Sequence, residues 1–200
     1  MSLSLVSAAA AEPVTLVEAK AFLNVTTADD DTLITSLIAA ARAEIDGEDG
    51  WLGRALVTQT WDLLLDRFPG GSLRNPWSAI FAPLPPLQSV TSLKYLDTAG
   101  VEQTLATAKY TVDAKSEPGR IVPAYGESWP STRDVPNAVT LRFVAGYGAA
   151  AAVAEPLKRW IKSRVATLYG FREPVVVGTI TSDIETVGDE AILSYRVWGP

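Results

Sequence analysis

Between Gly53 and Ala145 the chain shows no run with helical periodicity, whereas the sequences on both sides of this stretch do. The segments LVTQTWDLLL (56–65), SVTSLKYL (89–96), YTVD (110–113), RIV (120–122) and VTLRFVA (139–145) instead set β-branched and aromatic residues between turn signals such as Asp97-Thr98-Ala99-Gly100. APLPPLQ (82–88) prescribes an extended approach into the second of these strands. Recognition of its prolines by a partner is the weaker alternative, because they abut the strand directly. So many strands without intervening helices cannot build a doubly wound parallel sheet, which needs strand and helix to alternate.

The flanks are helical. Thr15 and Glu18 have the spacing of a capping box ahead of Leu16, Val17, Ala19, Phe22 and Leu23, which predicts a short helix ending near Asn24. Thr27 and Asp30 repeat that spacing before a stripe of Leu33, Ile34, Leu37, Ile38, Ala41 and Ile45, with Gly47 and Gly50 expected to stop the helix. After Ala154, Pro156 suits a first helical turn, and Leu157, Trp160, Ile161, Val165 and Leu168 share a face. Lys158, Arg159, Lys162 and Arg164 fall mostly outside that face, and Gly170 closes the helix. The predicted class is α+β: a helical body from an N-terminal helix pair and a C-terminal helix, with a β-rich insert between them. The expected parts are a flexible or extended arm (1–12), an N-terminal helical part (13–52), the β-rich insert (53–153), the C-terminal helix (154–172) and a tail (173–200). MSLSLVSAAAAEP offers small residues to a signal peptidase but lacks a basic start and a long apolar core, so it reads as the arm.

Absent residue types narrow the chemistry. With neither Cys nor His among the 200 residues, thiol nucleophiles, Cys-rich zinc sites and Ser-His-Asp triads are excluded. The acidic turn Asp29, Asp30, Asp31 and the group Glu44, Asp46, Glu48, Asp49 lack the alternating oxygens, central glycine and distal glutamate of a calcium loop, so no metal site is assigned. Helix-start electrostatics account for the Asp triplet. A net charge of −6 opposes general affinity for nucleic acid phosphates. No apolar run is long enough to span a bilayer, and no membrane partner is expected.

The run AGYGAAA (145–151) has the written form of a dinucleotide-binding turn, followed by a helix, VVVGTI (175–180) and Asp183. The helix start is displaced to Glu155 and Pro156, too late to point at a phosphate bound by the glycines. Gly146, Gly148 and Pro156 therefore read as a joint that turns a strand into a packed helix, and no cofactor is assigned.

Taken in order, VTLVEAKAFLNV, LIAAARAEID, GRALVTQTWDLLLD, PPLQSVTSLKYLD, EPGRIVPA, VTLRFVAGYG, EPLKRWI, LYGFRE and a terminal YRVW resemble the phage head–tail connector proteins of the gp6-like class. The resemblance is to the longer form known as the phiE125 gp8 family, and extends to gene transfer agent adaptor proteins. It implies a structural adaptor in the virion neck, made in the host cytoplasm and without catalytic residues. Such an adaptor is a ring of twelve copies under the portal protein, joining the DNA-filled head to a stopper or tail-terminator protein while DNA passes through the lumen unbound. The alternatives are another small neck or tail-joining protein or, further off, a nucleotide-binding enzyme.

Within that frame two surfaces stand out. Lys158, Arg159, Lys162 and Arg164 form either a charged interface with the portal or a neighbouring subunit, or a solvated helix face. Tyr195, Arg196, Val197 and Trp198 combine residue types common at interface hot spots with a chain end. They either dock on the portal or a neighbouring subunit, or form a last strand of the subunit's own sheet.

Overall fold

Alternation in VTLRFVA sends Val139, Leu141, Phe143 and Ala145 to one side of a strand, and all four are fully buried. The computed structural model describes residues 1–71, 75, 77–170 and 190–197. Among these residues the chain is α+β, with three α-helices and two antiparallel sheets.

The first sheet joins β1 (Ser2–Ser7), β2 (Gln59–Leu65), β4 (Leu87–Leu96), β5 (Glu102–Thr104) and β8 (Val139–Ala145) in the order β1-β2-β8-β4-β5. In the second, β7 (Gly119–Pro123) lies between β3 (Ile80–Ala82) and β6 (Tyr110–Asp113). Register puts Trp61 and Leu63 of β2 opposite Phe143 and Leu141, and Leu93 of β4 opposite Leu141 from the other side. These residues close against Ile80, Ala82, Tyr110 and Ile121 of the smaller sheet to make one core. Phe68 and Trp129 stack at its margin, with ring centroids 4.8 Å apart.

A second core belongs to the helices α1 (Leu16–Leu23), α2 (Asp31–Ala43) and α3 (Glu155–Gly170), where Ala19, Ile34, Ile38, Ala41, Leu157, Ile161 and Val165 meet. Trp160 packs against it, partly buried. The capping box on α1 forms as expected: the Thr15 hydroxyl accepts the Glu18 N–H at 3.2 Å, and Glu18 accepts the Thr15 N–H at 2.7 Å. That backbone hydrogen bond, then the Thr15 hydroxyl, holds the Glu18 carboxyl below its ordinary range. Asn24 ends the helix in the left-handed region, at φ 57°.

The second expected capping box does not form. Asp30 occupies the cap of α2 without a side-chain bond to the helix, because its carboxylate takes the Tyr169 hydroxyl of α3. Thr27 instead gives its carbonyl to Lys20 at 2.7 Å. α2 also stops at Ala43, before either glycine, and Ile45 carries the apolar stripe onward into a turn.

Both glycines of the joint have positive φ: Gly146 at +113° and Gly148 at +119°. Their neighbourhood laces strand to strand. The Gly146 N–H donates to the Pro86 carbonyl at 2.9 Å, the Tyr147 N–H to Leu56 at 3.0 Å, and the Thr58 N–H to the Gly148 carbonyl at 2.9 Å. The Gly146 and Tyr147 amides are thereby committed to neighbouring backbone carbonyls, which ties the run to the sheet. A short 3-10 turn, Ala150–Ala152, intervenes before α3, and Pro156 sits in that helix's first turn, where its missing N–H is harmless.

The two glycines differ in the space around them. A Cβ on Gly146 would lie 2.5 Å from the Val57 carbonyl oxygen, whereas on Gly148 the nearest heavy atom outside the adjoining residues would be the Ala152 Cβ at 3.6 Å. Gly148→Ala should therefore cost about 1 kcal/mol of stability from backbone strain alone, and Gly146→Ala about 2–3 kcal/mol because the Val57 backbone must also move. Urea denaturation of the two variants checks both the magnitudes and their order.

Candidate functional site

The two cores meet along Ile45–Gln59, a stretch that is apolar except for a few charged and amide side chains. Asp46 and Arg54 are 7% and 6% exposed, and their backbones form an isolated parallel bridge, with the Gly47 N–H on the Arg54 carbonyl at 2.9 Å. Buried charges persist only with partners. Asp46 accepts the Leu56 N–H, Gln59 Nε2 and Arg42 Nη1, each at 2.8 Å. Gln59 in turn accepts Trp61 Nε1 at 3.0 Å, which carries the network into β2.

Arg54 points the other way. Its Nε donates to the Tyr195 carbonyl at 2.7 Å, Nη1 to the Tyr147 hydroxyl at 2.9 Å, and Nη2 to Glu117 at 2.7 Å. One guanidinium thus fastens the chain end, the strand–helix joint and the β6–β7 hairpin. Burial pushes the Tyr147 hydroxyl pKa up, which keeps it neutral as the acceptor of this bond. No buried side-chain nitrogen or oxygen among the described residues lacks a partner, and none of their acidic residues form a group that could hold a metal ion. The arrangement is suited to holding parts together.

The chain end closes over this junction. Ile192 is fully buried in the helical core, and a 3-10 turn, Leu193–Tyr195, follows. The Val197 N–H donates to the Leu52 carbonyl at 2.9 Å, and the Arg196 guanidinium lies 4.8 Å from the centre of the Trp51 ring. Tyr195, Arg196 and Val197 are thereby gathered on the Trp51–Arg54 segment of their own subunit, each half-buried, and they add no strand to either sheet. Trp198 lies outside the described residues, as do VVVGTI and Asp183.

The four basic residues of α3 separate. Lys158 is only 7% exposed and reaches the Glu155 carboxylate at 3.2 Å, so it is not on the open face that its spacing suggested. Arg164 binds Glu44 of the preceding helical segment at 2.8 Å. Arg159 is exposed and Lys162 half-buried. Gly146, Gly148 and Pro156 lie together at the joint, next to the Arg54 network through Tyr147.

Sequence reasoning grouped Asp46 with a rejected calcium cluster and passed over Arg54, Gln59, Glu117 and Tyr147. The available signal was a lone base, Arg54, set among Leu52, Ala55 and Leu56; Asp46 was masked by its acidic neighbours Glu44, Glu48 and Asp49. Ile192 was equally silent, one aliphatic residue in a mixed tail. Asp46→Ala should cost about 3 kcal/mol, because it leaves the buried Leu56 N–H and Gln59 amide without their acceptor, while Arg42 keeps Glu12 as its partner. Asp46→Asn should cost less, because one acceptor oxygen remains. Equilibrium denaturation of the pair measures the difference.

Residues 13–61 match the family described as phage gp6-like head–tail connector proteins, a span that contains α1, α2, Asp46, Arg54 and the start of β2. No curated protein matches the chain. Among solved structures, a chain in the neck of a native gene transfer agent particle, computed with C12 symmetry, aligns at 23% identity and TM-score 0.75. A chain in the neck of the empty particle, computed with C6 symmetry, aligns at 22% identity and TM-score 0.75, and one in the virion of the native particle at 22% and 0.76. Each alignment covers 100% of this chain and 97% of the other. The chain thus carries the gp6-like head–tail connector signature over residues 13–61 and, along its whole length, the fold of chains found in gene transfer agent particles.

Proposed function

We propose that this chain is a structural head–tail connector of a tailed phage or phage-like particle, resident in the virion neck. It forms a ring of twelve copies under the portal, a number supported by the C12 symmetry of a neck containing a chain of the same fold, and links the DNA-filled head to a stopper or tail-terminator protein.

The observation that carries this reading is the agreement of two independent likenesses: the connector family match on residues 13–61 and the whole-chain fold of neck proteins. The chemistry is compatible. A network in which polar atoms are committed to one another gives stiffness and leaves little for catalysis, so the chain is read as a non-enzyme. The net charge of −6 disfavours gripping the DNA that such a ring must let through.

Within this reading α1, α2 and α3 form the helical body of the subunit and strands β2 to β8 its β-rich insert, with β1 added to the larger sheet from the N-terminal arm. Tyr195, Arg196, Val197 and Trp198 are the segment proposed to dock on the portal or a neighbouring subunit. The half-exposed side chains of Tyr195, Arg196 and Val197 sit on a mount fixed by Arg54 and Ile192, so an added contact there need not first order a free tail. Of the basic residues, Arg159 and Lys162 are the better placed for a charged contact across subunits.

Deleting the gene should leave DNA-filled heads and separate tails, and supplying the chain in trans should restore joined particles. Tyr195→Ala combined with Trp198→Ala should leave the purified subunit's melting temperature within a few degrees and fail in the same complementation assay. Negative-stain imaging reads both outcomes. Joined particles from the deletion strain would refute the connector role.

A further inference from the structure

The two edges of the five-stranded sheet are built differently. β5 is three residues long, and Glu102 pairs with Lys94 at 2.9 Å, so shortness and charge protect that edge from adding another strand. β1 is six residues, Ser-Leu-Ser-Leu-Val-Ser, with no charge and no proline; its register with β2 shifts between Leu5 and Ser7, and among the described residues no strand lies on its outer side. Natural sheets seldom leave such an edge open, because its unpaired backbone groups are a template for another extended chain.

The side chains give the same indication. Leu3 and Leu5 stand opposite Leu63 and Trp61, both buried, so they belong to the core face of the sheet. Leu5 is nevertheless 48% exposed and Val6 44%. The apolar face of β1 continues past the cover that the subunit itself supplies.

We propose that the free edge of β1 is a seam between copies of this chain, on which a neighbouring subunit adds an extended segment that continues the sheet and buries Leu5 and Val6. The choice of a second copy rests on the ring reading above and on charge. Two bodies of net charge −6 repel, and they approach at least cost through a strip free of side-chain charge; the first charged side chain after Met1 is Glu12. The guarded β5 edge supplies the stop. Addition at one edge only gives each copy a directional, head-to-tail contact, the kind that closes a ring.

A photo-reactive amino acid at Val6 and the variant Leu5→Lys test this in the assembled neck. Upon irradiation of isolated necks, mass spectrometry should find the Val6 probe joined to another copy of this chain. Amides of residues 2–7 should exchange at least 10-fold more slowly in necks than in the free subunit. Leu5→Lys should keep the subunit's circular dichroism and melting temperature, since a half-exposed lysine can reach water from that position. In the seam its charge would be buried without a partner, so incorporation into necks should fall roughly 100-fold, while Leu5→Met assembles normally. Cross-links to a different virion protein, no cross-link at all, unchanged exchange, or normal necks from Leu5→Lys would each overturn the seam. Necks that lack the chain altogether would instead overturn the connector reading on which it rests.

Discussion

The interaction on which the rest of the structure depends is the buried pairing of Asp46 with its donors and of Arg54 with its acceptors. Each of the two cores is modest. They meet in one stretch, where Leu52, Leu56 and Val57 belong to the helical core and Ala55 to the sheet core, beside buried charged groups. Asp46 draws Arg42, the Leu56 backbone and Gln59 to one point, and Arg54 draws Tyr147, Glu117 and the Tyr195 carbonyl to another. In a low-dielectric setting such bonds are strong when complete and costly when one is missing, so the network specifies a single relative placement of helices and sheets.

Much of this was legible in the sequence where one physical rule acted alone. β-Branched and aromatic residues between turn signals predict strands in LVTQTWDLLL and VTLRFVA, and each contains one with a buried face. The Thr15–Glu18 box and the stripe of Ile34, Ile38 and Ala41 are local patterns that tertiary structure left intact. The positive φ of Gly146 and Gly148 likewise follows from the need to turn a strand into a helix.

Elsewhere tertiary contacts overrode local rules. Thr27 and Asp30 have capping-box spacing, but a tyrosine from α3 competes for the aspartate. Lys158 is a charged residue by type, yet it borders the buried stripe three residues before Ile161 and seven before Val165, folds back on Glu155 and is covered. SLSLVS alternates as visibly as any strand in the chain, but at a terminus the same letters read equally well as an arm, and the deciding fact is a register with β2 that is distant in sequence. Three-residue strands such as β3 carry too few residues to show a period. The Arg54 network joins residues up to 141 positions apart, and no spacing rule reaches that far.

Function follows from the same division between local and assembled structure. The described part of the subunit is tied together at its junction, and the β1 edge and the chain end are the surfaces proposed for assembly. Averaged electron cryomicroscopy of the particle's neck tests the connector account most directly. The account predicts a ring of this chain between portal and tail, with the Arg54 junction intact in every copy and an open, unobstructed lumen. A neck map in which the portal contacts the tail proteins with no such ring between them would contradict it.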